Sequence, residues 1–220
     1  MIRPPFIGCS DIRNFDIKDI MNKVDLKVLF KSRWKMARGG EEMLSDLLED
    51  KRILASMSPR GVYGYFPVYR QDETLVLVDS VEWIFPEIKD KNISGYFNTK
   101  KEGGDIIPLT AVTIGQEAVE LSREMHINND YAEYFLFYGL AAECTEAIAS
   151  ELNNTIEYEL GGIKTLRRSF GYPACPDLSY QRSLLKLLEA DRIGVSLNES
   201  NQLVPEFSTT AFIIHSKLDQ

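Results

Sequence analysis

Between residues 167 and 177 the chain reads RRSFGYPACPD, which gathers a fixed cation, an aromatic hydroxyl and a stiff backbone into eleven positions. Pro173 and Pro176 each hold φ near about −65° and push Tyr172 and Cys175 toward extended backbone, so residues 172–176 cannot be helical. Gly171 permits a positive φ or a close ligand approach. Arg167 carries a planar fork of donors that matches a carboxylate, and Tyr172 offers a ring face and a hydroxyl. The chemistry that suits this set is retention of a zwitterionic small molecule bearing an adenine. The same composition also makes an ordinary surface turn with solvated arginines, and the residue types alone leave both readings open.

A second cluster lies in residues 130–152, which carry apolar side chains around most of a helical circumference and open with Asn128, Asn129 and Asp130 as caps. Glu143 and Glu146 fall three residues apart on that helix and share a face. Either both sit at the solvent edge, or Glu146 pairs with Arg167 or receives a ligand's ammonium.

Self-contained catalytic centres are missing from the sequence. There is no Walker A loop, no GxGxxG, no GxSxG and no HExxH. Cys9, Cys144 and Cys175 are odd in number and far apart, which argues against a disulfide framework and a zinc site. A nucleophilic thiol needs an activating base, and His126 and His215 are the chain's only imidazoles, so Cys175 reads as a small buried apolar side chain.

The elements that must position these groups follow from periodicity. Residues 17–50 alternate short apolar runs with charges and, with Met43, Leu44, Leu47 and Leu48 at helical spacing, predict a helical N-terminal layer over 1–53. Residues 61–81 predict a β-hairpin turning at Gln71, Asp72 and Glu73, and 86–105 are a polar, glycine-containing connection. A strand over 106–114 leads into a helix from Gly115 to Met125, a further helix spans Leu178 to Ile193 with Asp177 or Ser179 as N-cap, and a terminal strand covers 208–215. The free N–H groups of the 178–193 helix, with the backbone of 171–177, could face an anionic ligand group. Without a βαβ rhythm, this order gives an α+β fold, a mainly antiparallel twisted sheet with helices packed against it, with 1–220 as a single unit.

Net charge is −8 with dispersed cations, which argues against nucleic acid. No window reaches the roughly 20 apolar residues that span a bilayer, and the first residues lack a signal-peptide run, so a cytoplasmic chain without a membrane is expected.

Arg167, Gly171, Tyr172, Pro173, Ala174, Cys175, Pro176 and Asp177, as RxxxGYPACPD, resemble the signature of the activation domain of cobalamin-dependent methionine synthase. LAAECTEAIASEL at 140–152 resembles that family's long helix with its glutamate, IPLTAVTIG at 107–115 its preceding strand, and GVYGYFPV at 61–68 an earlier strand. The likeness runs through 106–215, reaches 54–85 and fades before that.

The resemblance implies S-adenosylmethionine as bound methyl donor, cobalamin presented by a partner, and a reductive methylation of cob(II)alamin in which the domain positions rather than performs acid or base chemistry. It implies a trans-acting module of a methyltransferase, incomplete on its own, whose partners are a cobalamin-binding methionine synthase chain and a flavodoxin or ferredoxin as electron donor. Arg167 would take the ligand carboxylate, Tyr172 would pack between ligand and corrin, the backbone of 171–175 would meet adenine or carboxylate, and Glu146 would orient the ligand. Two departures stand out: the family's early Asp-Trp-Thr-Pro segment has Asp25 as its nearest counterpart, and the chain ends soon after His215, where the family continues into a tyrosine-bearing extension. An activator of another corrinoid protein and a non-enzymatic docking module are the alternatives.

Overall fold

A computed structural model describes residues 3–87 and 92–215. The chain opens with two short strands, β1 (Gly8–Cys9) and β2 (Arg13–Asn14), followed by helices α1 (Ile17–Met21) and α2 (Leu26–Val28). The second helix widens into a π-helical turn, Leu29–Arg33, before α3 (Gly40–Glu49) and α4 (Lys51–Ala55). The expected N-terminal layer over 1–53 is therefore not wholly helical, because β1 and β2 both pair with β3 (Arg60–Gln71). Two-residue strands carry no alternation, so their pairing is decided by the neighbour rather than by their own sequence.

The expected hairpin is β3 with β4 (Thr74–Leu77), turning at Asp72 with φ of 54°. A further strand, β5 (Glu82–Ile84), extends it. The connection that follows contains short 3-10 turns at Ile93–Tyr96 and Lys100–Glu102, and residues 88–91 of it lie outside the described residues. Then come β6 (Asp105–Thr113), α5 (Gln116–Ile127), the long α6 (Tyr131–Glu159) and β7 (Leu166–Arg168).

The predicted helix over 178–193 is three pieces: a 3-10 turn at Leu178–Tyr180, α7 (Gln181–Leu187) and a 3-10 turn at Ala190–Ile193. Glu189 at φ of 47° is left-handed and ends the helical run. A small hairpin, β8 (Ser196–Leu197) and β9 (Leu203–Val204), precedes β10 (Ser208–Ile214).

The main sheet runs β5-β4-β3-β6-β10-β7, and every paired strand in it is antiparallel. The fold is α+β. Strand alternation divides two cores. Tyr63, Tyr65, Val112 and Ile213 point to the face covered by α6 and the N-terminal helices. Val62, Phe66, Leu109, Phe212 and Ile214 point to the face covered by α7, Trp83 and Phe85. Helix α6 is apolar on most sides because the sheet covers one face and α1 to α3 the other. Trp34 seats the N-terminal layer on it, donating Nε1 to the Leu136 carbonyl at 2.9 Å. Only a glycine at 139 allows this approach, since a Cβ there would lie 2.7 Å from that nitrogen.

Candidate functional site

Glu143, Glu146, Ala147 and Ser150 recur at i, i+3, i+4 and i+7 on α6 and form the floor of a cleft of about 740 Å³. Lys23, Asp25, Val28 and Arg33 of the N-terminal layer make one wall. Arg167, Arg168 and Ser169, with Tyr172 to Cys175, make the other.

Arg167 does not stand on a loop. It lies on β7, whose register against β10 places Arg167 opposite Ile213 and fixes its backbone at the sheet's edge. Its Nη2 donates to Glu146 Oε2 in a short ion pair, while its Nη1 is buried with no hydrogen-bond partner. One turn earlier, Arg33 Nε donates to Glu143 Oε1 at 2.6 Å. The two pairs differ in burial: the Glu143 side chain is 5% exposed and that of Glu146 40%. At the end of the floor Lys23 pairs with Glu151 at 2.7 Å.

The elbow after β7 closes on itself. The Cys175 N–H donates to the Tyr172 carbonyl and the Gly171 N–H to the Cys175 carbonyl, both at 2.8 Å, around Pro173. Gly171 has φ of +86°, one of the two roles its sequence left open, and is not among the lining residues. Phe170 anchors the elbow edge-on against Trp83, with ring centroids 5.3 Å apart, and Tyr180 stacks on the same indole. Tyr172 is left 66% exposed at the rim.

These bonds correct one expectation. The Gly171 and Cys175 N–H groups are consumed within the turn, and the Asp177 carboxylate accepts from the Ser179 N–H at 2.8 Å, so these three donors are not available to an anion. Arg167, which lines the cleft, keeps one guanidinium nitrogen, Nη1, that is buried and has no partner. Burial pushes the Cys175 thiol up to about 12, helped by the nearby charge of Asp177, so it stays protonated and is a poor nucleophile near neutrality.

Of the residues singled out from sequence, Glu146, Arg167, Tyr172, Pro173, Ala174 and Cys175 meet in this cleft. Asp25 lines it as well, while its side chain caps α2 by accepting from the Val28 N–H at 3.0 Å. Arg33 was not foreseen, and nothing in its neighbourhood marks it. A second groove, of similar volume, shares Glu146, Ser169 and Tyr172 with the first and continues toward Gln181 and Thr210, whose side chains are hydrogen-bonded at 2.8 Å. Among the described residues no group of His, Cys, Asp and Glu side chains could hold a metal ion, and no helix is long and apolar enough to cross a membrane.

The model of the vitamin B12-dependent methionine synthase activation domain matches residues 15–218. The chain belongs to this family. As an activation domain it is 29% identical, over 265 aligned positions, to the methionine synthases of Mycobacterium leprae and Mycobacterium tuberculosis. Each alignment covers 96% of this chain and 22% of the relative, so the chain spans about a fifth of the length of these curated relatives. Its fold is shared with a crystal structure of the MetH reactivation domain bound to AdoHcy, with a TM-score of 0.81 at 21% identity over 97% of this chain and 80% of that one.

Proposed function

We propose that this activation domain binds S-adenosylmethionine in the cleft between α6, β7 and the N-terminal layer and presents it for reductive methylation of cob(II)alamin held by a methionine synthase module. The observation that carries the reading is Arg167: its fork donates once to Glu146 and keeps a second, buried nitrogen without a partner, inside a cleft whose size is that of a small-molecule site. A guanidinium so placed takes a carboxylate in two parallel bonds. Glu146 and Asp25 are the carboxylates that can meet the ligand's ammonium. The exposed ring of Tyr172 offers a π face to a sulfonium, and the turn at Pro173 to Cys175 a flat surface for adenine.

The partner's cobalamin, reduced by one electron from an external donor, would supply the acceptor for the methyl group, and the sulfonium that gives it up would be left as a neutral thioether. The domain's residues hold and orient the donor and shield it from water. Orientation alone can contribute roughly 7–11 kcal/mol when a bimolecular step becomes intramolecular. The absence of an activated nucleophile at Cys175 fits such a role. We propose further that residues 1–220 act as one unit in the cytoplasm together with a cobalamin-binding methionine synthase module, with a flavodoxin or ferredoxin as electron source.

Calorimetric titration with S-adenosylmethionine tests this. At about 100 times the dissociation constant the ligand adds about 2.7 kcal/mol of stability. For a chain of 220 residues that raises the melting temperature by roughly 5–10 °C. No heat and no shift at millimolar ligand would remove the assignment.

A further inference from the structure

We propose that the Arg167–Glu146 pair is an internal stand-in for an amino acid's zwitterion, so that the cleft selects ligands carrying both a carboxylate and an ammonium and rejects those carrying the carboxylate alone. The proposal rests on the S-adenosylmethionine reading of the same cleft and adds to it a rule of selectivity.

The two ion pairs on α6 supply the argument. Arg33–Glu143 encloses its carboxylate almost completely, and an enclosed charge cannot give up its partner without a large desolvation penalty. Arg167–Glu146 is built differently: both side chains line the cleft, that of Glu146 is 40% exposed, and only Nη2 of the guanidinium is engaged. It is the pair that can open. When an α-amino acid end enters, its carboxylate replaces that of Glu146 on Arg167 and also meets the unpartnered Nη1, which is buried while the pair is closed and is uncovered as it opens. The displaced Glu146 takes the ligand's ammonium. Two ion pairs then stand where one stood, and no charge is orphaned. A ligand with the carboxylate but no ammonium takes Arg167 and, by filling the cleft, covers Glu146 from the water that solvates it when the cleft is empty, so the carboxylate is left both desolvated and unpaired.

The geometry therefore assigns Glu146 two opposite roles: a competitor for the ligand's carboxylate and a partner for its ammonium. Titration of wild-type protein and Glu146→Gln with S-adenosylmethionine, its desamino analogue and its decarboxylated analogue separates them. Wild-type protein should bind the desamino analogue at least about tenfold more weakly than S-adenosylmethionine, the usual penalty for leaving a partly buried charge unpaired. Glu146→Gln should bind the desamino analogue more tightly than wild-type does, because the competitor is neutral, and should bind S-adenosylmethionine and the decarboxylated analogue more weakly, because the ammonium loses its partner.

If Glu146→Gln instead tightens both S-adenosylmethionine and the desamino analogue, Glu146 only competes and the exchange is refuted. Equal discrimination in the two proteins refutes it as well. Absence of heat with all three ligands in wild-type protein removes the cleft assignment itself, and the exchange with it. Should Glu146→Gln fold poorly, Glu146→Ala supports the same comparison, since the desamino analogue must again gain while S-adenosylmethionine loses.

Discussion

Arg167→Ala and Arg33→Ala should fail in opposite ways, and the difference follows from which carboxylate each leaves behind. Removing Arg167 leaves Glu146, whose side chain is 40% exposed, so water takes over its solvation. The cost in stability is then that of a surface pair, less than about 1 kcal/mol, which for 220 residues lowers the melting temperature by no more than about 2–4 °C. Ligand affinity behaves otherwise. A carboxylate that loses its charge-assisted bonds to a guanidinium forfeits about 1.5–3 kcal/mol, a weakening of roughly 10- to 150-fold. Removing Arg33 leaves Glu143, 5% exposed, without its cation. Breaking a fully enclosed pair costs about 3–5 kcal/mol. Because the Arg33 side chain is itself 43% exposed and water can partly replace it, roughly 2–3 kcal/mol is expected. That corresponds to a fall of about 5–10 °C. Urea unfolding with unchanged m-values, alongside calorimetric titration, measures both quantities. An Arg167→Ala protein that melts as low as Arg33→Ala, or that binds S-adenosylmethionine as wild-type does, refutes the reasoning from exposure.

What could be read from the residues was what periodicity and local backbone chemistry encode. β3 and β4 announce themselves by β-branched and aromatic runs on either side of Asp72, and α6 by an apolar circumference long enough to be helical. The positive φ of Gly171 is one of the two roles that a glycine at this place allows. The link between Arg167 and Glu146, 21 residues apart, was reachable because both had already been singled out and a carboxylate on an apolar helix asks for a cation. By contrast, β7 is three residues, Leu-Arg-Arg, with no alternation to display, and it becomes a strand because β10 offers it an edge. Arg33 and Glu143 are 110 residues apart, and their pairing exists only once Trp34 docks on Gly139. Tertiary placement, not local preference, built that wall of the cleft. The same limit explains why the N–H groups of Gly171 and Cys175 were expected to face a ligand: a turn that satisfies these two donors itself looks, in sequence, like one that does not.

The remaining expectations concern the rim, the buried thiol and the N-terminal wall. Tyr172→Ala should leave stability within about 0.5 kcal/mol, because its ring is largely exposed, yet weaken S-adenosylmethionine by an exposed cation–π contact, about 0.5–1 kcal/mol, as read by melting and titration. The Cys175 thiol is held near 12 in the fold against 9.0 in the unfolded chain, so the folded state keeps the proton that the unfolded state loses first. Its contribution is full below pH 9 and declines as pH rises toward 12, and Cys175→Ala should flatten that decline in pH-dependent unfolding. Asp25 has two duties that substitution can part. As N-cap of α2 it accepts from the Val28 N–H, a bond that serine can replace, whereas alanine loses about 1 kcal/mol. As a charge in the cleft it can be replaced only by another carboxylate. Asp25→Ser should therefore keep wild-type stability. If its carboxylate shares the ligand's ammonium with Glu146, Asp25→Ser should also lose affinity for S-adenosylmethionine but not for the desamino analogue. Equal losses with both ligands would mean that Asp25 acts by holding the N-terminal wall in place and not by meeting the ammonium.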